Sequence, residues 1–451
     1  MPIYRADSAL LPDGIARNVR LAIEGGRLTR VEPGAPESGK EARIAGLVLP
    51  GMANVHSHAF QRAMAGLAEW DAGGSDNFWS WREAMYCFAE GLDPESQRAI
   101  ARFLYIEMLK AGYTSVGEFH YLHNKPDGHA YAPPPAMADA IAEAAAESGI
   151  ALVFLPTLYM QGGCDGRPLS ARQRRFGRTV DELLAIRESL RGKPGVTSIG
   201  LALHSLRAVP ANAMRDAIAG VEKNSVIHIH AAEQVGEIAE SITAFGKRPV
   251  EFLLDNFAVD EKWCLVHSTH MTPDETLRLA KSGAAAGLCP TTEANLGDGL
   301  FPLTDFLEAG GQIAIGGDSH VGVDPAAELR LMDYVQRLAL RRRNVTATLK
   351  ESHTAHRLWT AAAAGGARAL GLEAGVIRAG GRADLVAIDG EHPSFAGRDP
   401  AQTLDTYVFI GARSAVRDVM VGGNWVVKDR HHALEEKATS EWREALASFS
   451  A

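Results

Sequence analysis

The sequence predicts an α/β fold: a closed (β/α)8 barrel over residues 50–373, with a small β-sandwich built from both chain ends, residues 1–49 and 374–451. Three observations lead there. Apolar runs repeatedly stop on a histidine or an aspartate, as Val55 stops on His56, Ile229 on His230, Val266 on His267, and the Ile313–Gly317 run on Asp318. Parallel barrel strands carry chemistry at their C-terminal ends in this way. Helix start and stop signals separate the runs, giving a repeated strand–helix unit. The chain ends, by contrast, have the alternation and glycine turns of hairpins.

Along the chain, Leu21–Val31 alternates apolar and polar residues around Gly25-Gly26, which predicts a hairpin. Leu49-Pro50-Gly51-Met52-Ala53-Asn54-Val55 then leads into His56-Ser57-His58, the first barrel strand. The long connection from Asn54 to Asp93 carries the aromatic run Phe78-Trp79-Ser80-Trp81-Arg82 and is expected to form a lid, a subunit contact or a satellite apolar cluster. Asp93-Pro94-Glu95 starts a helix that ends near Gly112, and Thr114–Phe119 is the next strand. Thr272-Pro273-Asp274-Glu275 is a capping box with proline at the first helical position, and Gly283 stops that helix. Asp418–Val427 is a second hairpin, around Gly422-Gly423. Neither terminal set is large enough to bury a face alone, so the two are expected to combine.

A chain of 451 residues can bury one large core and a smaller module, and 46% hydrophobic with 22% charged residues is the composition of an ordinary soluble globular protein. The 46 basic against 55 acidic residues give a net charge of −9, which repels a phosphate backbone. Arg341-Arg342-Arg343 is one short solvated helix face, so no nucleic-acid partner is expected. No apolar run approaches about 18 residues, and Met1-Pro2-Ile3-Tyr4-Arg5 does not open a secretion signal. A cytoplasmic protein with no membrane partner is expected. Cys87, Cys164, Cys264 and Cys289 lie far apart, as suits reduced thiols rather than a disulfide framework.

Residues i and i+2 of a strand share a face, so His56 and His58 can converge on one ion. Neutral imidazole suits zinc and related metals. Alone the pair is weak evidence; its companions strengthen it. The ordered set His56, His58, His230, Glu233, His267 and Asp318 resembles the amidohydrolase superfamily, in its mononuclear deaminase branch. The Pro50-Gly51-Met52 lead-in and the late Gly381-Arg382-Ala383-Asp384-Leu385-Val386 segment match too, so the resemblance covers essentially the whole chain. Within that branch the chain looks most like the N-formimidoyl-glutamate deiminases of histidine breakdown.

The resemblance implies one divalent ion per chain, zinc, held by His56, His58, His230 and Asp318. Binuclear relatives carry a carboxylated lysine on the fourth barrel strand; here Gly200–Arg207 has no lysine, which favours a single ion. Glu233 is implied as general acid and base, His267 as the group that holds the water or steadies the tetrahedral centre, and Asp318 as a catalytic ligand. His228 is expected to be structural, and His270 and His320 to support the ligands or pack rather than to ligate.

For substrate, Gln61, Arg82, Tyr121, His204 and Arg207 are expected at the barrel mouth. Two arginines suit two carboxylates, because guanidinium meets them bidentately. Arg207 with Tyr121 and His204 is expected on one carboxylate, and Arg82 with Gln61 at the other end of the substrate. The expected partner is thus a small dicarboxylate amidine, N-formimidoyl-L-glutamate, hydrolysed to N-formyl-L-glutamate and ammonia by a homodimer. Two alternatives stay open: a guanine- or cytosine-type heterocycle deaminase of the same branch, and a catalytically silent barrel used for assembly.

Overall fold

The structure is a computed structural model that describes residues 1–70 and 77–449. Eight parallel strands close into a barrel: β1 (Met52–Ser57), β2 (Tyr113–His120), β3 (Ala151–Leu158), β4 (Leu201–Ser205), β5 (Ile227–Ala231), β6 (Trp263–His267), β7 (Ala285–Leu288) and β8 (Gln312–Ile315). The ring closes where Ile315 of β8 pairs with Asn54 of β1. Every residue of β1, β2, β3, β5, β6 and β7 is buried. Helices cover the outside and side chains fill the inside, which is why these strands are continuous apolar runs in sequence rather than alternating ones.

The local punctuation holds. Helix α1 (Phe78–Glu90) is capped by Asn77. Helix α2 (Pro94–Ala111) has Asp93 and Ser96 in a capping box and ends on Gly112 at φ 102°, a conformation that favours glycine. Helix α3 (Pro273–Ser282) is bracketed by the Thr272/Glu275 box and by Gly283, as its sequence predicts. Helix α4 (Pro290–Leu296) starts immediately beyond β7. Residues 71–76 of the aromatic-rich connection after β1 lie outside the described residues.

The two ends of the chain meet in a separate eight-stranded sheet. Its middle pairing joins the strand Leu385–Ile388 to Ala42–Pro50, with Leu385 opposite Pro50 and Ile388 opposite Leu47. On either side lie the N-terminal strands Ile3–Leu11, Gly14–Glu24 and Arg27–Glu32, and the C-terminal strands Val416–Val421, Asn424–Lys428 and His431–His432. The sheet encloses its own core, which includes Val19, Leu21, Ile44, Leu385 and Met420. Each terminal segment supplies part of that core, so neither half could bury it alone.

Candidate active site

The strand ends aim the polar residues inward. His56 and His58 leave β1, His230 lies on β5, His267 ends β6, and Asp318 follows β8. The β1 and β8 ends are tied by backbone hydrogen bonds: Asp318 N–H to His56 O at 2.9 Å and His58 N–H to Asp318 O at 3.1 Å. Gly316 permits this approach, since a Cβ there would lie 2.8 Å from His56 Cβ. Ala232, His267, Ser268, Asp318 and His320 all have left-handed backbone, with φ from 49° to 68°. Such conformations are costly for non-glycine residues and persist where surrounding structure imposes them. Here they sit at the ends of β5, β6 and β8.

Three imidazoles and a carboxylate converge. His56 Nε2 lies 3.1 Å from His58 Nε2 and 3.0 Å from His230 Nε2. Asp318 Oδ1 is 3.5 Å from His56 Nε2 and 3.4 Å from His58 Nε2. His58 Nδ1 donates to Phe119 O at 2.9 Å, and His230 Nδ1 donates to His204 O at 2.8 Å. With those protons on Nδ1, the neutral rings turn Nε2 lone pairs toward one point. Burial pushes all three histidines below their usual pKa, which keeps the rings neutral. Lone pairs packed against a carboxylate repel unless a cation lies among them. The donor set therefore fits a divalent metal ion, with three nitrogens and one oxygen at the spacing a zinc-type site requires.

Beside this cluster stands a second group. His267 Nε2 is 3.8 Å from Glu233 Oε1 and 3.8 Å from Asp318 Oδ2. Burial raises the Glu233 pKa, against the pull of His267 and Arg207. Burial alone would lower His267, but Glu233, Glu293 and Asp318 reverse it and raise that pKa. Glu233 is placed by its own backbone, since its N–H and that of Ala232 both donate to the Glu237 carboxylate, at 3.0 and 3.2 Å. A buried carboxyl beside an imidazole and a metal-type cluster can accept a proton and return it.

All the residues expected at the site are brought together. Gln61, Arg82, Tyr121, His204, Arg207, Glu233, His267 and Asp318 line one cleft with His58 and His230, while His56 lies fully buried beneath it. The grouping of the substrate contacts differs from the one expected. Arg82 and Arg207 share the Trp79 ring, their Cζ atoms 4.5 and 5.7 Å from its centroid. Gln61 Nε2 instead donates to Tyr121 OH at 2.7 Å, and the Tyr121 and His204 rings lie 5.6 Å apart. The cleft thus has a guanidinium wall and an amide–phenol–imidazole wall, near enough to each other that Arg207 and Arg82 help lower the His204 pKa, after the larger effect of burial. Among the described residues no carboxylate pairs with Arg82, and the nearest to Arg207 is Glu233, at 3.7 Å. The aromatic run of α1 forms part of the cleft, as do Tyr86, Tyr159 and Phe176, which sequence reasoning missed. Tyr159 directly follows β3, and that position was the available signal.

His228 and His320 have other partners than the cluster: His228 Nε2 bonds to Ala369 O at 2.8 Å, and His320 Nε2 meets Ser57 Oγ at 2.9 Å. Cys264 and Cys289 are buried, and all four cysteines are free.

Comparison with known proteins agrees with this architecture. Residues 47–426 match the amidohydrolase family, and residues 1–44 match the N-terminal domain of formimidoylglutamate deiminase HutF. The chain belongs to the amidohydrolase family and is a hydrolase acting on C–N bonds. It is 47% identical to formimidoylglutamate deiminase from Pseudomonas aeruginosa, over 98% of both chains. It is 30% identical to a 5-methylthioadenosine/S-adenosylhomocysteine deaminase from Natronomonas pharaonis, over 85% of this chain and 82% of that one. The crystal structure of an amidohydrolase from Brucella melitensis superposes with a TM-score of 0.95 at 43% identity, covering 100% of both chains. An adenosine deaminase from Xanthomonas campestris with bound zinc shares the fold, with a TM-score of 0.79 at 22% identity over 99% of this chain and 98% of that one.

Proposed function

We propose that this protein hydrolyses N-formimidoyl-L-glutamate to N-formyl-L-glutamate and ammonia, a step of histidine breakdown. The observation that carries this reading is the pair Arg82 and Arg207. Among the described residues neither guanidinium has a hydrogen-bonded carboxylate partner, and both face the cleft that Gln61, Tyr121 and His204 line from their own wall. A dicarboxylate meets both walls. A heterocycle would leave the arginines unpaired in a buried site, at a cost. The 47% identical deiminase supports the same choice.

His56, His58, His230 and Asp318 would hold one divalent ion, zinc in this reading. Bound there, such an ion acidifies water, whose pKa falls to about 7 on catalytic zinc. The chain's own residues do the rest. Arg82 and Arg207 bind one carboxylate, and Gln61, Tyr121 and His204 bind the other. Glu233 accepts a proton from the water as its oxygen bonds to the formimidoyl carbon, passes it to the terminal nitrogen, and then moves the remaining hydroxyl proton to the same nitrogen as the C–N bond breaks and ammonia leaves. His267 Nε2, 3.8 Å from both Glu233 and Asp318, steadies charge at the tetrahedral carbon. Phe78 and Trp79 of α1 line the cleft beside the arginines.

We read the enzyme as a cytoplasmic homodimer, which sedimentation at twice the chain mass would test. The activity itself is tested by incubating the zinc-loaded protein with N-formimidoyl-L-glutamate and following both products. Stoichiometric ammonia and N-formyl-L-glutamate are expected; failure to release either would overturn the assignment.

A further inference from the structure

We propose that Glu293 is a positioning residue for this reaction: it fixes His267 in the tautomer and orientation that present Nε2 to Glu233 and Asp318. The kinetic part of the proposal rests on the deiminase reading; the structural part does not.

The geometry is a carboxylate–imidazole pair reaching the active centre from behind. His267 is 1% exposed, and its Nδ1 lies 3.2 Å from Glu293 Oε1. The opposite nitrogen, Nε2, faces Glu233 and Asp318. An ionised carboxylate only accepts hydrogen bonds, so Nδ1 must carry a proton. The other neutral tautomer would set a lone pair against the carboxylate; with Nδ1–H held by Glu293, Nε2 is left to serve Glu233 and Asp318, as acceptor in the neutral ring and as donor in the imidazolium.

Glu293 is itself held. The same Oε1 accepts the Cys289 N–H at 2.8 Å, and the Glu293 N–H donates to Cys289 O at 2.8 Å. Its backbone carbonyl in turn accepts the Asp298 N–H at 2.9 Å. The oxygen facing the ring is therefore fixed by the first turn of α4. This matters because the β6 end does not set the ring direction through regular strand pleating: His267 and Ser268 have φ of 68° and 53°. The ring plane is held instead by the lateral contact to Glu293. Carboxylates that orient a working histidine through its far nitrogen play this part elsewhere in enzymes.

Two substitutions and two readouts test the proposal in the metal-loaded protein. Glu293→Met keeps volume and removes the acceptor; Glu293→Gln keeps an acceptor oxygen and removes the charge. We expect Glu293→Met to lower kcat by about 10- to 100-fold, with KM and bound metal unchanged, and Glu293→Gln to fall between it and the wild type. In protein with 15N-labelled histidine, the His267 Nδ1–H resonance, assigned by its loss in His267→Asn, should lie downfield. It should vanish from the downfield region in Glu293→Met and move upfield in Glu293→Gln. A wild-type kcat in Glu293→Met, a kcat loss that merely tracks lost metal, or a surviving resonance would overturn the proposal. Should Glu293→Met not fold, an unmoved resonance in Glu293→Gln overturns it as well. A wild type inactive on N-formimidoyl-L-glutamate would instead strike the functional reading, and the resonance would still decide the role of Glu293.

Discussion

Two buried carboxylates, one in the terminal sheet and one at the barrel mouth, are treated in opposite ways. Asp384 is 2% exposed and Glu233 is 5% exposed. Asp384 accepts Arg382 Nε at 2.8 and 3.0 Å and the Gly422 N–H at 2.6 Å. Glu233 accepts no side-chain hydrogen bond among the described residues, and its nearest cations, Arg207 and His267, stay 3.7 and 3.8 Å away. Burial without full satisfaction costs free energy, so a fold tolerates it only where something else will complete the contacts. The terminal sheet uses its carboxylate to join a loop to a strand. The barrel mouth holds its carboxylate in reserve.

The histidines divide the same way. His228 spends its Nε2 on a backbone carbonyl, whereas His56, His58 and His230 turn theirs toward one another. The arginines follow. Arg102 lies buried with Glu147 and Glu441 as partners, while Arg82 lies over aromatic rings.

Breaking the reserved set should damage function, and breaking the satisfied set should damage stability. The largest effect is expected from His56→Ala, which should lose most of the bound metal, read by elemental analysis, together with nearly all activity. Two tightly held ions per active wild-type chain would contradict the single-ion site. Glu233→Gln should keep the metal and lose about 10²- to 10⁴-fold in rate, the usual contribution of an acid/base group; near-normal turnover would remove Glu233 from the mechanism. Arg207→Met should keep the metal and lose about 30- to 5,000-fold in kcat/KM, which corresponds to about 2–5 kcal/mol for one buried charge-assisted contact. Asp384→Asn is the counterpart. It should cost about 1–3 kcal/mol of stability in denaturant titration, with kcat per folded molecule unchanged. A large loss of kcat there would erase the contrast between the two regions.

Much of this was legible in the sequence because barrel strands advertise themselves. Continuous apolar runs ending on His56, His230, His267 and Asp318 marked the strand ends, and the Thr272/Glu275 box marked a helix start to the residue. The pairing of the substrate walls was not legible. Whether Arg82 sits beside Arg207 or beside Gln61 depends on where α1 folds back over the mouth, and no local pattern encodes that. The run Phe78–Trp81 could equally have been core, since consecutive aromatics carry no period that separates a cleft wall from an interior. Glu293 was hidden for a different reason. A glutamate four residues beyond Cys289 in a helix-opening segment looks like an ordinary cap, and it does accept the Cys289 N–H; its second contact, to His267, spans 26 residues.

In the proposed reaction the two polar walls take two carboxylates around a hydrolysable amidine. The most direct measurement is kcat/KM of the zinc-loaded enzyme for N-formimidoyl-L-glutamate, set against N-formimidoyl-4-aminobutyrate, which lacks the α-carboxylate, and against guanine. Removing one carboxylate should cost about 30- to 5,000-fold, and guanine should release no measurable ammonia. Equal efficiency on the two formimidoyl compounds, or faster release from guanine, would contradict the two-carboxylate reading.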